Sequence, residues 1–454
     1  MADGRGLVQW LQRREIAVYP RGWLQVWLLT LVVVANLIHS YEGQLGPVVP
    51  LLVPALHLSL NAYGYIVAAT TVVSGAAAVA AGPWIDRYGR TAFVIGGTVV
   101  TALAVLAMAL VHTAAAFVVV RVILAIGYGV AYPATSGLVR DFTPRVGRAL
   151  GFGLWTLGPV GADFLAAWVA GWSLPLFHDA WQSQFVIMGG FCLVTGLVVA
   201  AFIRDLSPAL RSQVVRDRRE AEEADRRARQ TPTVMAHPRL VFRAWHVWAL
   251  AVGQNLFLLI YFFTTAFGPL YLVQVFHYPP AVAAQIASTF WLADLGALIL
   301  IGWVSDRARL RKPFSMAGVV GMTIFMYFWI HLIGQRPAPS VMVLYTSLQG
   351  VLLALGYGPW MALYSETLED IHPSLVGTGW AISGLVVFVV AALADALTFP
   401  VVGRIGYAGW LTVCWIGIVV YGVVLLVVPG AWRHAGRAAG EVEPKAVGWP
   451  SQQP

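Results

Sequence analysis

The feature that most constrains this chain is a series of about twelve apolar stretches, each long enough to cross a lipid bilayer as a helix. A crossing needs roughly 20 mostly apolar residues, and a helix satisfies all of its backbone hydrogen bonds internally, as the bilayer interior demands. Only 11% of the residues are Asp, Glu, Lys or Arg, whereas a soluble protein surface needs about 25%. The sequence therefore predicts an all-α membrane protein with spans near residues 23–46, 62–84, 92–112, 115–137, 149–172, 184–204, 244–274, 281–304, 314–334, 340–363, 375–399 and 406–429.

Basic residues show which loops face the cytoplasm. Lys and Arg number 29 against 21 Asp and Glu, and they are concentrated in alternate loops, as in chains whose basic loops remain inside. Both termini are therefore predicted to be cytoplasmic. The predicted organisation is a tail (1–22), a six-helix bundle (23–204), a central cytoplasmic loop (205–243), a second six-helix bundle (244–429) and a disordered cytoplasmic tail (430–454).

The two halves resemble each other in sequence. The segment Gly82-Pro-Trp-Ile-Asp86-Arg87-Tyr-Gly89-Arg90 recurs in part 220 residues later as Gly302, Asp306 and Arg307. Gly127-Tyr128-Gly129 recurs 229 residues later as Gly356-Tyr357-Gly358, and Arg140-Asp141 aligns with Glu369-Asp370 at the same offset. Two similar bundles around a central site are a common plan of secondary transporters.

These motifs resemble those of the major facilitator superfamily of secondary transporters. The loop between helices two and three matches the superfamily signature except at its final basic position, which is Thr91. The resemblance implies two pseudo-symmetric six-helix bundles and an inner gate. In that gate Asp86 would lie against the N-terminus of helix eleven, where the helix dipole favours an anion. Arg87 and Arg90 would pair with Asp141.

The second copy of the signature would act in the same way, with Asp306 and Arg307 near helix five and an acid at the inner end of helix ten. A simpler role in fixing topology stays open for both copies. The predicted gating residues are Gly82, Asp86, Arg87, Gly89, Arg90, Asp141, Asp306, Arg307, Glu366 and Glu369, with Asp370 as a further possible partner.

Charged residues inside spans are costly and usually functional. Asn36, His39 and Glu42 share one face of helix one, and Arg121 lies near the outer end of helix four. A Glu42–Arg121 pair could exchange a proton between states, or it could be a static ion pair. The candidates for proton coupling are Glu42, Arg121, His39, Asp294 and Asp163, whereas Asp395 is expected at the membrane interface.

Helices one, four, seven and ten are expected to line the substrate cavity. Aromatic walls with a few polar groups are typical of small-molecule sites, although aromatic residues at helical spacing also serve packing. The predicted contacts are Asn36, Tyr128, Tyr132, Gln254, Asn255, Tyr261, Gln349 and Tyr357.

Two transport directions compete. The favoured prediction is proton-coupled uptake of an organic acid or similar metabolite; the alternative is proton-driven efflux of a drug, because Gly158-Pro159-Val160-Gly161 approaches an antiporter motif. An enzyme is not predicted, since no H-E-x-x-H, G-x-S-x-G or Walker sequence is present. The expected driving force is a proton gradient without a cofactor or metal. We expect a multi-pass monomer of the cell membrane whose partners are a small solute and lipid, not nucleic acid.

Overall fold

The computed structural model describes residues 14–40, 45–143, 148–207, 209–210, 212–213, 216, 239–308, 310–372, 375–430 and 432. Within these ranges the side chains of Asp86, Asp306 and residues 148–153 are not described. Most of the predicted central loop and Glu42 therefore lie outside the described residues, as do residues 1–13 of the first tail and almost all of the second.

The first half of the chain forms six long helices. Two short helical segments, Gly46–Val48 and Val49–Ala55, follow the first of them. The six are α1 (Trp23–Ser40), α2 (Leu60–Tyr88), α3 (Arg90–Met108), α4 (Ala114–Phe142), α5 (Arg148–Leu176) and α6 (Gln182–Phe202).

The second half repeats this arrangement. It begins with a short helix, Arg239–Arg243, and its first long helix is interrupted at Leu258. The long helices are α7 (Trp245–Phe257 with Leu259–Phe276), α8 (Pro280–Ala308), α9 (Lys312–His331), α10 (Pro339–Ile371), and α11 and α12, which together occupy Val376–Val427. Gly406, at φ 72° and ψ 175°, separates α11 (376–405) from α12 (407–427).

The all-α membrane fold is confirmed. Among the described residues, ten continuous helical segments are long and apolar enough to cross a membrane, and the longest contains two spans. One boundary prediction is wrong: the signature from Gly82 to Tyr88 is not a loop, because α2 continues through it and only Gly89 joins α2 to α3. Gly89 has a φ of 89°, a conformation that glycine adopts without the Cβ penalty.

The internal repeat also exists as contacts in three dimensions. In the first half Gly97 of α3 lies against Gly127 of α4, where an added Cβ would be 3.3 Å from the Gly127 carbonyl oxygen. In the second half Gly318 of α9 lies directly against the backbone of Gly356 on α10. Small residues let membrane helices approach closely, so the same helix pair is packed by the same means in each half.

The halves meet through two antiparallel helix pairs, α5 with α8 and α2 with α11. At the end predicted to face outward, the Gln285 Nε2 group on α8 donates to the Gly171 carbonyl oxygen on α5 at 3.0 Å. Nearby, Ala170 and Leu174 of α5 are buried against Ala281 and Ala284 of α8.

Aromatic rings reinforce this outer contact. Tyr63 of α2 lies 6.1 Å from Phe267 of α7, between ring centroids, and Phe267 lies 4.6 Å from Phe399 of α11. All three rings are buried. The outer end of the seam between the halves is therefore closed in this structure.

Candidate functional site

Six polar side chains from both halves gather at the seam, inward of the closed outer end. The Tyr261 hydroxyl is close enough to interact electrostatically with the carboxyl groups of Asp163 and Asp294 and with the hydroxyls of Tyr128 and Tyr357. Tyr357 in turn lies within range of Tyr132 and Asp294. We call these six residues the central cluster: Tyr128, Tyr132, Asp163, Tyr261, Asp294 and Tyr357.

Helix α4 supplies the first wall of the cluster. Arg121, Tyr128 and Tyr132 are spaced so that they lie on one face of α4, with Arg121 about two turns outward of Tyr128. The Tyr128 and Tyr132 rings are 5.4 Å apart, and Tyr132 lies 4.9 Å from the Trp155 ring on α5. Trp155 is itself fixed by a 3.2 Å hydrogen bond from its Nε1 to the Thr135 hydroxyl.

The second half supplies the opposite wall. Tyr261 of α7 makes an edge contact with Trp291 of α8, with 5.6 Å between the ring centroids. Tyr357 of α10 stacks on Trp360 at 5.9 Å. All four tyrosines of the cluster are half-buried, so their rings are held by packing while part of each remains accessible. The sequence prediction that these four tyrosines are available to a substrate is consistent with this placement and stays a prediction.

Asp294 is the most isolated acid of the cluster. Its residue is only 4% exposed, and no hydrogen bond or ion pair of its carboxyl group is found among the described residues. Gly350 of α10 allows α8 to come close, because a Cβ there would lie 3.0 Å from the Asp294 nitrogen and 3.3 Å from its Cβ. Asp163 on α5 is equally buried at 4% and does have a partner.

The repeat shows how the two walls differ in charge. Arg121 is 2% exposed and donates from Nη2 to the Thr70 hydroxyl on α2 at 3.1 Å. With the offsets found in the sequence, Arg121 corresponds to Gly350 and Thr70 to Phe290. The second pair is also in contact, because a Cβ added to Gly350 would lie 2.5 Å from the Phe290 carbonyl oxygen. The second half therefore has a glycine where the first half has an arginine.

Two predicted residues of helix one lie away from the central cluster. The Asn36 Nδ2 group donates to the Trp155 carbonyl oxygen on α5 at 2.9 Å, and the His39 Nε2 atom is 2.8 Å from the Thr98 hydroxyl on α3. Both residues are fully buried. In this structure one polar atom of each residue bonds to a neighbouring helix of the same half, and their expected place in the cavity stays a prediction. Glu42, the third member, lies outside the described residues.

The predicted amides of the second half are also buried. The Asn255 Nδ2 group donates to the Ala251 carbonyl oxygen at 2.8 Å, and Gln349 Nε2 donates to the Thr264 hydroxyl at 3.0 Å beside a narrow cavity between α7, α8, α9 and α10. Gln254 is fully buried, and neither atom of its amide has a hydrogen-bond partner in the described part of the chain. Of these three, Gln254 alone has neither amide atom hydrogen-bonded within the described residues, and all three substrate contacts stay predictions.

At the predicted inner end, the first signature makes one of its expected contacts. Arg90 forms an ion pair with Asp141 at the end of α4, with side chains 8% and 7% exposed. Arg87 instead lies over the Tyr88 ring, 5.4 Å from its centroid, and is exposed. The predicted Arg90–Asp141 pair is thus present, and Arg87 has a different neighbour. The side chain of Asp86 is not described.

The second signature differs from its prediction. Glu366 pairs with Arg311 at 3.0 Å, whereas Arg307 lies over the Trp303 ring at 5.9 Å. Glu369 and Asp370 are exposed, and the Asp306 side chain is not described. Glu366 lies one turn before Asp370, the sequence counterpart of Asp141. The ion pair of the second half therefore joins α9 to α10, as the Arg90–Asp141 pair joins α3 to α4, but it uses an acid one turn earlier on the helix.

Sequence reasoning missed Asp205, which follows α6. Its Oδ2 atom accepts from the backbone nitrogens of Arg90 at 2.9 Å and Thr91 at 3.3 Å, so it caps the first turn of α3. A two-residue parallel strand pair holds it there, β1 (Glu15–Ile16) with β2 (Asp205–Leu206). No local signal could have revealed this cap, because the partners are 115 residues apart.

Asp395 was expected at the membrane interface, and its depth in the membrane stays a prediction. The residue is 6% exposed on α11 and has a partner within the protein.

Among the described residues, no group of three or more His, Cys, Asp and Glu is arranged to hold a metal ion.

Comparison with known proteins agrees with a multi-pass membrane transporter. The Major Facilitator Superfamily profile matches residues 28–394, and the chain belongs to this family. A structure of the xylose transporter XylE from E. coli, described as partially occluded and inward open, superposes with a TM-score of 0.67 at 15% identity, covering 89% of this chain and 100% of that one. The likeness confirms the fold of two related six-helix halves. The family match and the apolar helices identify a multi-pass protein of the cell membrane.

Three curated relatives are informative. A gallate transporter of Pseudomonas putida is 24% identical over 333 residues, covering 69% of this chain and 71% of the relative. The 4-hydroxybenzoate transporter PcaK of Pseudomonas aeruginosa is 24% identical over 432 residues, covering 83% and 92%. Multidrug resistance protein 2 of Bacillus subtilis is 28% identical over 143 residues, covering 30% and 35%. The family and these relatives are transporters of small organic molecules, and no catalytic family is indicated.

Proposed function

We propose that this protein takes up a small hydroxylated aromatic acid together with protons, by alternating access. The observation that carries the proposal is the central cluster, which combines four tyrosine rings with two buried carboxyl groups at the seam between the halves. The rings offer stacking and edge contacts to an aromatic solute, and the hydroxyl groups offer hydrogen bonds to its phenol or carboxylate.

Proton coupling follows from the charge of such a site. A carboxylate removed from water without a partner, as that of Asp294 would be, costs several kcal/mol, and an anionic solute beside it adds like-charge repulsion. The acid is therefore bound well only when the site also holds protons. Since substrate and protons then bind together, they are carried in the same direction, which is symport.

Two further observations support an organic acid. The relatives that cover most of this chain are a gallate transporter and a 4-hydroxybenzoate transporter, both named for hydroxylated aromatic acids. Arg121 lies on the face of α4 that carries Tyr128 and Tyr132, so a guanidinium group borders the outer side of the cluster. Arg is well suited to bind a carboxylate.

Proton-driven efflux of an organic cation is the second candidate. Carboxyl groups with tyrosine rings also suit a cation, through ion pairing and cation–π contact, and one relative is a multidrug resistance protein. The Gly158-Pro159 motif adds little, because Gly158 packs against Asn36, whose Nδ2 atom would lie 2.8 Å from an added Cβ. That close contact explains the glycine by helix packing.

The sign of proton exchange on binding separates the two candidates. The purified full-length protein in weakly buffered detergent solution is mixed with 4-hydroxybenzoate or with tetraphenylphosphonium, and the pH is followed with an indicator dye. Acid symport predicts saturable proton uptake with 4-hydroxybenzoate, whereas cation antiport predicts proton release with tetraphenylphosphonium. If 4-hydroxybenzoate binds without proton uptake, or does not bind, the acid proposal is wrong.

A matched pair of variants localises the binding. Tyr261→Phe removes a hydroxyl from the central cluster and should weaken 4-hydroxybenzoate binding several-fold, as expected for a lost hydrogen bond of about 1 kcal/mol. Tyr65→Phe removes the same group from a tyrosine of α2 that is 53% exposed and should leave affinity unchanged. Equal affinity in both variants would place the substrate elsewhere.

A further inference from the structure

We propose that the coupling proton is carried by Asp294 on α8. This inference rests on the proposed function and assigns its proton to one side chain. Three features of the structure lead to it: the isolation of Asp294, the chemistry of its neighbours, and its position on a helix that forms the seam.

The first feature is isolation. Asp294 is 4% exposed and has no hydrogen bond or ion pair among the described residues. Its surroundings differ from those of Asp141, which is similarly buried and paired with Arg90. A buried carboxyl group without a cation is stable when it holds a proton and unstable when it does not, so Asp294 is built to exchange one.

The second feature is the set of groups around it. Of the helices packed against α8, α5 presents Asp163, α7 presents Tyr261 and α10 presents Tyr357. The short helix Gly46–Val48, which also packs on α8, has no titratable side chain. Neutral hydroxyls and a second acid cannot replace the missing positive charge. The repeat explains why no cation among the described residues lies beside Asp294: the position that Arg121 occupies in the first half is occupied by Gly350 in the second.

The third feature is position. Gln285 of α8 forms the outer hydrogen bond to Gly171 of α5, and Asp294 lies nine residues further inward, about 13 Å along the helix. When the outer contact opens, water gains access from that side and the charged form of Asp294 becomes less costly. The proton affinity of Asp294 therefore differs between the two states, and a ligand that binds two states unequally shifts their populations.

The test compares Asp294→Asn with Asp395→Asn, a matched change at another buried aspartate, 6% exposed on α11. Each full-length variant is reconstituted in proteoliposomes, and 4-hydroxybenzoate accumulation under a pH gradient is measured beside exchange without a gradient. Wild type should accumulate substrate about tenfold for each pH unit and coupled proton. Asp294→Asn should lose accumulation and retain exchange, now independent of pH, while Asp395→Asn should keep both.

A third variant protects the test against simple misfolding. Asp294→Glu keeps a carboxyl group and should restore gradient-driven accumulation. The proposal is overturned if Asp294→Asn still accumulates substrate, if it loses exchange together with accumulation, or if Asp294→Glu exchanges substrate without accumulating it.

A substrate-free measurement separates failure of this inference from failure of the proposed function. Thermal unfolding of the detergent-solubilised protein is followed between about pH 5 and 9. Wild type should lose stability as the pH rises, because ionised Asp294 is costly in the closed seam, and Asp294→Asn should lose less. If wild type neither binds nor accumulates the acid, the proposed function fails while this comparison still decides the role of Asp294; identical pH profiles would reject that role.

Discussion

Gly171 allows α5 and α8 to approach closely at the outer end, and enlarging it should favour the outward-open state. Gly171 of α5 accepts the hydrogen bond from Gln285 of α8 at 3.0 Å. A Cβ at this position would lie 2.5 Å from the Gln285 Cγ and 3.3 and 3.4 Å from its backbone nitrogen and Cα. Gly171→Ala therefore forces the Gln285 side chain to move and presses on the backbone of the other half.

The size of the effect follows from these contacts. A lost hydrogen bond of this kind is worth about 0.5–1.5 kcal/mol, and crowding a packed site costs typically 1–3 kcal/mol. Both penalties apply only while the outer end is closed. They sum to about 1.5–4.5 kcal/mol, and movement of the flexible Gln285 side chain relieves part of this. A net bias of about 1–3 kcal/mol moves the equilibrium between outward-closed and outward-open states by roughly 5–150-fold.

Thiol labelling from outside measures this shift. Ala284 of α8 is fully buried in the outer contact, so Ala284→Cys reports opening. Cys192 and Cys414 are free and buried and are replaced by alanine beforehand. The rate of reaction with a membrane-impermeant thiol reagent should rise by the same 5–150-fold in Gly171→Ala, up to the rate of an exposed thiol.

Gly296→Ala is the matched control, because an added methyl group on this residue of α8 would meet nothing within 4 Å. It should leave the labelling rate unchanged. The reasoning is refuted if Gly171→Ala labels no faster than its parent, or if Gly296→Ala produces the same increase.

Three other changes test the remaining assignments. Asp141→Asn should lower the free energy of unfolding by about 3–5 kcal/mol, because it leaves the Arg90 guanidinium buried without an anion; denaturant titration would show no change if that pair were unimportant. Asp205→Ala should cost about 1 kcal/mol through loss of the α3 cap, and equal stability in the same titration would exclude the cap. Glu42→Gln should keep gradient-driven uptake in proteoliposomes, since the proton is assigned to Asp294; loss of accumulation with intact exchange would return the role to Glu42.

The number of spans and the internal repeat could be predicted because lipid imposes length and apolarity on every crossing, and because a duplicated chain retains its glycines. Gly127 and Gly356 recur in the sequence and pack against matching glycines in the structure. The Arg90–Asp141 pair could be predicted from the resemblance, because Arg90 belongs to the signature at the junction of α2 and α3.

The direction of helix faces was harder to predict. In a soluble helix the apolar face identifies the core, but a membrane helix is apolar towards both lipid and protein, and its polar residues show only that some protein is nearby. Asn36 and His39 share a face as expected, yet that face bonds to α5 and α3. Glu366 is one of the acids predicted at the inner end of α10, but its basic partner is Arg311, whereas Arg307 lies over the Trp303 ring.

The two halves share tyrosines and differ in charge, and this difference gives each half its own task. Tyr128 and Tyr357 occupy equivalent positions on α4 and α10 and meet at the central cluster. Beside Tyr128 the first half has Arg121, which suits the carboxylate of a substrate, whereas the second half has Gly350 and the unpaired Asp294, which suits a proton. Under the proposed function, opposite halves would hold the substrate anion and the proton, so that their joint presence would neutralise the seam and let the halves close around both.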